Sequence, residues 1–297
     1  MTETIAILGQ GAWGTALGAT LADAGRQVRF WRRGDGAEAL AGAGMVLSAV
    51  PAQATRGVLA ALALPAGVPL VLTAKGLEKG TLKLQSEIAA EAAPGHPVAV
   101  LTGPSFAADL TIGLPTAVTL AVADMTLGED LQRRLATKSL RPYLTDDVTG
   151  AQIGGAVKNV IAIACGAAIG IGLGESARAA LMTRGFAEMV RLGTALGGRA
   201  ATLSGLSGLG DLALTCASAT SRNFAYGLSL GQGTTPAALA ADGRTYEGAA
   251  TAAPVAAMAA RLGIEMPVAS VVAALVEGTL TVPQAVEKLF NRPLRRE

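Results

Sequence analysis

The chain has 297 residues, 51% apolar, 15% charged and 3% aromatic, with 38 glycines and a formal charge of +2. That length accommodates two domains with separate cores, and the composition excludes a disordered chain. The small net charge argues against a nucleic-acid or membrane-surface partner, and two cysteines, Cys165 and Cys216, with a single histidine, His96, leave no metal site or disulfide framework.

The N-terminus, MTETIAILGQG, has no basic stretch and no cleavable signal pattern. The apolar run Val160 to Gly174 is too short for a confident membrane span and suits a buried core helix. Reduced cysteines in small apolar surroundings fit the cytoplasm.

In chain order, the strand IAIL (5–8) runs into Gly9-x-Gly11-x-x-Gly14 and then the helical stretch TALGATLADAG (15–25). Gly9 permits the tight turn, Gly11 lets the backbone approach a pyrophosphate, and Gly14 allows close helix–sheet packing; the helix N-terminus faces the phosphate charge. A merely tight turn would not need the second strand, VRFW (28–31), that follows. Arg32 and Arg33 come next, where arginine accommodates a 2′-phosphate and an acid would bind ribose hydroxyls. NADP(H) is favoured, with NAD(H) possible; a solvated arginine pair is the plainer alternative.

The runs MVLSAV (45–50), PLVLT (69–73), VAVL (98–101) and TAVTLAV (116–122) alternate with helical stretches such as TLKLQSEIAAEAA (81–93), and RPYLTDD (141–147) closes the series. This predicts an α/β Rossmann-like domain over residues 1–148, a parallel sheet covered by helices on both faces. Lys75, in TAKGLEKG, sits at a strand's C-terminal end, where such sheets bind ligands, although an ordinary loop lysine would look the same. In LTGPSFAADL, Gly103 and Ser105 offer N–H groups and a hydroxyl to a ligand, or form a simple turn. His96 lies in a Gly-Pro loop, so a general base here is a lysine or a carboxylate.

From Thr149 onward the pattern is helical. The stretches 151–170, 176–197, 202–218, 234–241, 248–262, 266–277 and 282–290 predict an all-α domain over residues 149–297, packed directly on the first with a cleft between. Lys158 stands in GGAVKNVIAIACGAAIGIG (154–172), where burying an unpaired ammonium is costly. On a regular helix Gly154, Gly155 and Ala162 share its face, a bare face that leaves room for a substrate. A desolvated lysine near other cations has a lowered pKa, which suits proton transfer. Asp211, in SGLGDLALTC, is a ligand or a helix cap, with Thr215 one turn on. Ser221, Arg222 and Asn223 set a guanidinium beside an amide, a good phosphate clamp. Glu247, in TYEGAATA, opens another helix, where an acid is favourable anyway.

The motifs GQGAWGTALG, TAKGLE, GPSFAADL, GGAVKNVIAI, LMTRGFAEMVRLG, GLGDLALTC, SRN, YEG and GIEMPV, in this order over almost the whole chain, resemble the bacterial NAD(P)-dependent glycerol-3-phosphate dehydrogenases. The resemblance implies interconversion of sn-glycerol 3-phosphate and dihydroxyacetone phosphate, supply of the phospholipid backbone, and a homodimer. It makes Lys158 the proton acceptor, with Asn159, Asp211 and Lys75 in the catalytic group. Lys75, Gly103, Ser105, Asp211, Thr215, Ser221, Arg222 and Asn223 would meet substrate. Lys75, Ala107, Arg222, Thr245, Glu247, Trp13 and Arg33 would meet cofactor beside the glycine loop. Ala12 stands where the family usually has serine. Between Arg33 and MVLSAV the family carries roughly forty more residues, including the third strand of the 3-2-1-4-5-6 order, where only GDGAEALAGAG remains. The third strand is expected to be absent, with the adenosine end more open. Two alternatives share the Rossmann-plus-helical plan: a lysine-dependent dehydrogenase of the 6-phosphogluconate or 3-hydroxyisobutyrate type, and a nucleotide-sensing regulator without chemistry. The SRN clamp and GLGDL loop argue against the first, and intact Lys158, Asn159 and Asp211 against the second.

Overall fold

The computed structural model describes residues 4–291. Seven strands form one sheet: β1 (Thr4–Leu8), β2 (Gln27–Trp31), β3 (Ala43–Ser48), β4 (Leu70–Leu72), β5 (Val98–Thr102), β6 (Thr116–Val122) and β7 (Leu140–Thr145). Their order is β2-β1-β3-β4-β5-β6-β7. Helices α1 (Ala12–Asp23), α2 (Thr55–Ala60), α3 (Gln85–Ala92), α4 (Ala107–Thr111) and α5 (Met125–Leu135) accompany the strands. The strands are apolar on both faces because two cores flank the sheet: Ile5, Ile7, Met45 and Leu47 on one side, Ala6, Leu8, Val46 and Leu72 on the other.

The sheet departs from the expected all-parallel arrangement at one pairing. Strands β5 and β6 run antiparallel, with Thr102 opposite Thr119. The connection, residues 103–115, carries the short α4 and brings the chain back along β5 in the opposite direction.

The sheet also ends early. Among the described residues no strand lies beyond β2, so the third strand of the Rossmann order is missing. The short segment after Arg33 folds back on β2 instead. Trp31 Nε1 donates to the Asp35 carbonyl at 3.0 Å, Arg29 Nη1 donates to the Ala41 carbonyl at 3.0 Å, and Leu40 is fully buried beside Trp31.

The second half is α6 (Val148–Gly170), α7 (Gly174–Ala195), α8 (Ala200–Leu203), α9 (Asp211–Cys216), α10 (Arg222–Gly231), α11 (Pro236–Ala240), α12 (Glu247–Arg261), α13 (Pro267–Glu277) and α14 (Val282–Phe290). Helix α6 is the axle. Residues Gly150 to Ala168 are all buried, as an apolar-all-round helix must be. Its apolar stretch is long enough to cross a membrane, but 89% of it is covered by protein.

Two sequence expectations change here. The single helix expected over 202–218 breaks into α8, a π turn at Leu206–Gly210, and α9. Helix α10 was not expected at all, because Gly227 and Gly231 each cost a helix about 1 kcal/mol. Packing explains their presence. A Cβ on Gly166 would collide with the Phe224 carbonyl, one on Gly170 with the Leu228 carbonyl, one on Gly227 with the Ile163 carbonyl, and one on Gly231 with the Ala167 carbonyl. Glycine pairs four residues apart on both helices let α6 and α10 meet backbone to backbone.

Candidate active site

The strand ends converge on α6. Strands β1, β3, β4 and β5 deliver Gly9, the Ala49–Ala52 segment, Lys75 and Gly103 to one edge of the sheet, and the strand order switches sides at β1, which has β2 on one flank and β3 on the other. Ligands of open α/β sheets bind at such an edge.

At the glycine loop, Gly9 has φ +95° and its would-be Cβ lies 3.1 Å from the Ala49 carbonyl. A Cβ on Gly14 would run into the Gly9 carbonyl and lie 3.2 Å from Ala49 Cβ, so the helix can start there only with glycine. Gly11 is different: a Cβ there would meet nothing within 4 Å, and as N-cap of α1 it leaves the helix without a side-chain cap. Open space over an uncapped helix N-terminus fits a dinucleotide pyrophosphate. Ala12 is exposed at the first turn, and Trp13 and Ala107 are half-buried against the sheet core.

Lys158 is buried, at 7% exposure, and is not unpaired. Its Nζ lies 3.0 Å from Asp211 Oδ1 and donates to Thr215 Oγ1 at 2.8 Å. Thr215 Oγ1 in turn donates to Asp211 Oδ1 at 3.3 Å. The other Asp211 oxygen takes Lys75 Nζ at 2.6 Å, and Lys75 also donates to the Gly103 carbonyl at 3.0 Å. Burial lowers Lys158 to about 8; the Asp211 charge opposes that drop and the Lys75 charge reinforces it. Neither an ammonium without counter-charge nor a fully neutralised one stands here: two cations share one buried anion.

The bare face beside Lys158 is filled, contrary to expectation. A Cβ on Gly154 would lie 2.5 Å from the Ser207 carbonyl and 3.0 Å from Gly208 Cα, and one on Gly155 would lie 2.6 Å from Thr102 Oγ1 and 3.4 Å from Lys75 Cγ. These glycines admit protein, not substrate. They let the π turn press on α6 and so carry Asp211, the residue that follows it, between the two lysines.

A second chain of contacts starts one residue on. Asn159 Oδ1 accepts from Asn223 Nδ2 at 2.8 Å, and Asn223 Oδ1 accepts from the Gly248 N–H at 2.9 Å. Asn159 Nδ2 donates to the Gly155 carbonyl at 3.3 Å and, more weakly, to the Lys75 carbonyl at 3.5 Å. Asn223 is therefore a brace between α6, α10 and α12, a role its sequence position beside Arg222 does not reveal. Ser221 caps α10, accepting from the Phe224 N–H at 3.2 Å. Ser105 Oγ donates to the Gly103 carbonyl at 3.1 Å.

Arg222 is exposed and makes no side-chain hydrogen bond among the described residues, and its charge acts on Glu247. Half-buried Glu247 accepts from the Ala52 N–H at 3.1 Å, tying α12 to the segment after β3. Burial raises its carboxyl, opposed by that N–H and by Arg222. Thr245, Arg32 and Arg33 are exposed, and among the described residues no side-chain hydrogen bond or ion pair links them to this cluster. Asp35 accepts from the Arg32 backbone N–H at 2.7 Å, which commits it to the turn. His96 is a loop residue, its Nδ1 3.0 Å from the Val68 carbonyl.

A residue that sequence reasoning passed over is Glu188 of α7. It is buried and accepts from the Val268 and Ala269 N–H groups, at 2.7 and 3.1 Å, at the start of α13. An acid inside an apolar stretch was its only signal.

Comparison with known proteins agrees along the whole chain. The family model for the C-terminus of NAD-dependent glycerol-3-phosphate dehydrogenase matches residues 147–287, and that for the N-terminus matches 4–35 and 33–128. The N-terminal match breaks at the shortened segment. The chain is 54% identical over 314 positions to a glycerol-3-phosphate dehydrogenase (NAD(P)+) of Cereibacter sphaeroides, covering 99% of this chain and 100% of that protein. It is 51% identical over 319 positions to that of Paracoccus denitrificans, with the same coverage. Both alignments are longer than the chain, by fewer positions than the roughly forty residues that the resemblance implies. The crystal structure of glycerol-3-phosphate dehydrogenase from Coxiella burnetii superposes with a TM-score of 0.93 at 37% identity, over 98% of this chain and 99% of that one. A Plasmodium falciparum structure, at 19% identity and TM-score 0.85 over 99% and 97%, shares the fold.

Proposed function

We infer, from the premise that this chain belongs to the NAD-dependent glycerol-3-phosphate dehydrogenase family, that Lys158 is the acid–base residue of its reaction. The chain is an oxidoreductase that interconverts dihydroxyacetone phosphate and sn-glycerol 3-phosphate with NAD(P). One observation carries the role of Lys158: it is a buried ammonium, lowered to about 8, held by Asp211 and Thr215 at the ends of β4 and β5. A group of that pKa gives and takes a proton near neutral pH.

The bound cofactor supplies the hydride for the C2 carbonyl, or takes it back. Gly9, Gly11 and Gly14 would hold its pyrophosphate on the α1 N-terminus, with Trp13, Ala107, Thr245 and Glu247 around the remainder. Lys158 protonates the developing C2 oxygen, and in reverse removes the hydroxyl proton. Asp211 and Thr215 aim its Nζ. Lys75, with its stem against Gly155, adds positive charge where the alkoxide forms. Arg222, exposed and not hydrogen-bonded, binds the phosphate, while Asn223 holds Arg222's helix against Asn159.

On the same premise we place residues 1–148 in a dinucleotide domain and 149–297 in a catalytic domain, and assign a cytoplasmic homodimer supplying the phospholipid backbone. Arg32 and Arg33 favour NADP(H). Oxidation of NADPH and NADH with dihydroxyacetone phosphate, set against 6-phosphogluconate and methylmalonate semialdehyde, tests the substrate. Lys158→Ala should abolish turnover and leave NADPH binding nearly intact; a Lys158→Ala enzyme that still turns over refutes the role.

A further inference from the structure

Lys158 gives up a proton in each reductive turnover and must regain one before the next. Burial leaves it few sources. Among the described residues the polar groups in reach of its Nζ are Thr215 Oγ1 and Asp211 Oδ1, and the Thr215 hydroxyl leads back to the same carboxylate. Asp211 is itself 1% exposed. Its second oxygen, however, holds Lys75, whose side chain is 18% exposed and lies on the loop after β4. Lys158, Asp211 and Lys75 thus form a continuous line from the buried ammonium to a partly exposed one, an ion pair at 3.0 Å followed by a hydrogen bond at 2.6 Å.

We propose that Lys75 returns the proton to Lys158 through Asp211, which makes it a proton carrier for the reaction and not only a substrate contact. The proposal rests on Lys158 being the acid–base residue. After Lys158 has protonated the substrate oxygen it is a neutral amine. A Lys75 N–H bond breaks and its proton passes to Asp211 Oδ2, leaving Lys75 neutral. The carboxyl turns about its Cβ–Cγ bond and delivers that proton to the Lys158 lone pair, becoming a carboxylate again. Lys75 then takes a proton from solvent. No net charge is moved beyond the one proton consumed, and the oxidative direction runs the same steps backward.

The test separates first from later turnovers. Arginine keeps the positive charge of Lys75 but does not release its protons at any working pH. The Lys75→Arg enzyme is mixed rapidly with saturating NADPH and dihydroxyacetone phosphate. The expected result is a burst of one NADPH per active site, from Lys158 protonated beforehand, and then a steady phase about tenfold or more slower. The solvent deuterium isotope effect should be larger on the steady phase than on the burst. In Lys75→Ala, added methylamine should accelerate the steady phase by a larger factor than the burst. Burst and steady rates that fall together, or a steady phase indifferent to methylamine, overturn the proposal, because Lys75 would then act only in binding or in the chemical step. Failure of the Lys158 assignment has a separate signature, retained turnover in Lys158→Ala.

Discussion

Lys75 and Lys158 are bound to opposite oxygens of one carboxylate, Asp211 Oδ2 at 2.6 Å and Oδ1 at 3.0 Å. With both lysines protonated the cluster carries one surplus positive charge. That surplus suits a phosphorylated substrate; burial lowers Lys158 to about 8, against the Asp211 charge and with the Lys75 charge.

The pH dependence should therefore differ in sign between directions. In the proposed role Lys158 must be protonated for reduction of dihydroxyacetone phosphate, so kcat/KM should fall as pH rises through about 8. Oxidation of sn-glycerol 3-phosphate needs it neutral, so kcat/KM should rise through the same pH. Asp211→Asn removes the charge that opposes the drop and should move both limbs to lower pH, with a loss on the order of 100-fold in kcat/KM at neutral pH. Profiles with the same slope in both directions would rule out Lys158 as the titrating group.

Lys158 also has a stability consequence. Its pKa is lowered on folding from 10.5 to about 8, so the unfolded chain binds more protons between those values. Stability should rise with pH across that window, and below it the buried charge costs up to about 3 kcal/mol. Lys158→Met removes that cost and leaves Asp211 paired with Lys75. The variant should be inactive yet melt higher than the parent at pH 7, with the gap closing toward pH 10. Equal melting temperatures at pH 7 would show that the lysine is not strained by burial.

The α6–α10 seam predicts an asymmetry among glycines. Gly227→Ala puts a methyl group into the Ile163 carbonyl and should cost about 1–3 kcal/mol. Gly57→Ala, inside α2, meets nothing within 4 Å and should stabilise by about 0.5–1 kcal/mol. Denaturant titration of the two variants gives both signs directly.

Arg222 and Asn223 are neighbours in sequence but not in role. Arg222→Ala should raise KM for dihydroxyacetone phosphate about 100-fold with a smaller change in kcat. Asn223→Ala cuts the brace between Asn159 and Gly248 and should lower kcat and the melting temperature together. Steady-state kinetics with calorimetry distinguishes them; a pure KM effect in Asn223→Ala would return it to the phosphate site.

Much of this was legible beforehand, for physical reasons. Gly9, Gly11 and Gly14 could be read because a strand, a turn and a helix each leave a local mark. Lys158 stood out because apolar neighbours make a charge conspicuous. What escaped was set by contacts between distant segments. Nothing near Gly227 and Gly231 shows that Ile163 and Ala167 need their absent side chains, so α10 was missed. The same blindness made Gly154 and Gly155 look like room for a ligand, when Ser207, Gly208, Thr102 and Lys75 occupy that side. The reversal of β6 lies in the direction of its pairing with β5, which alternating apolar runs do not register.

The missing third strand has a consequence of a different kind. The segment between Arg33 and Ala43 closes on the free edge of β2, with β2, β1 and β3 standing between it and the Lys75 loop. At a sheet edge no later strand has to be rethreaded when residues are gained or lost, and the entropy of closing a loop grows only with the logarithm of its length. This edge is the joint at which the protein's size is adjustable.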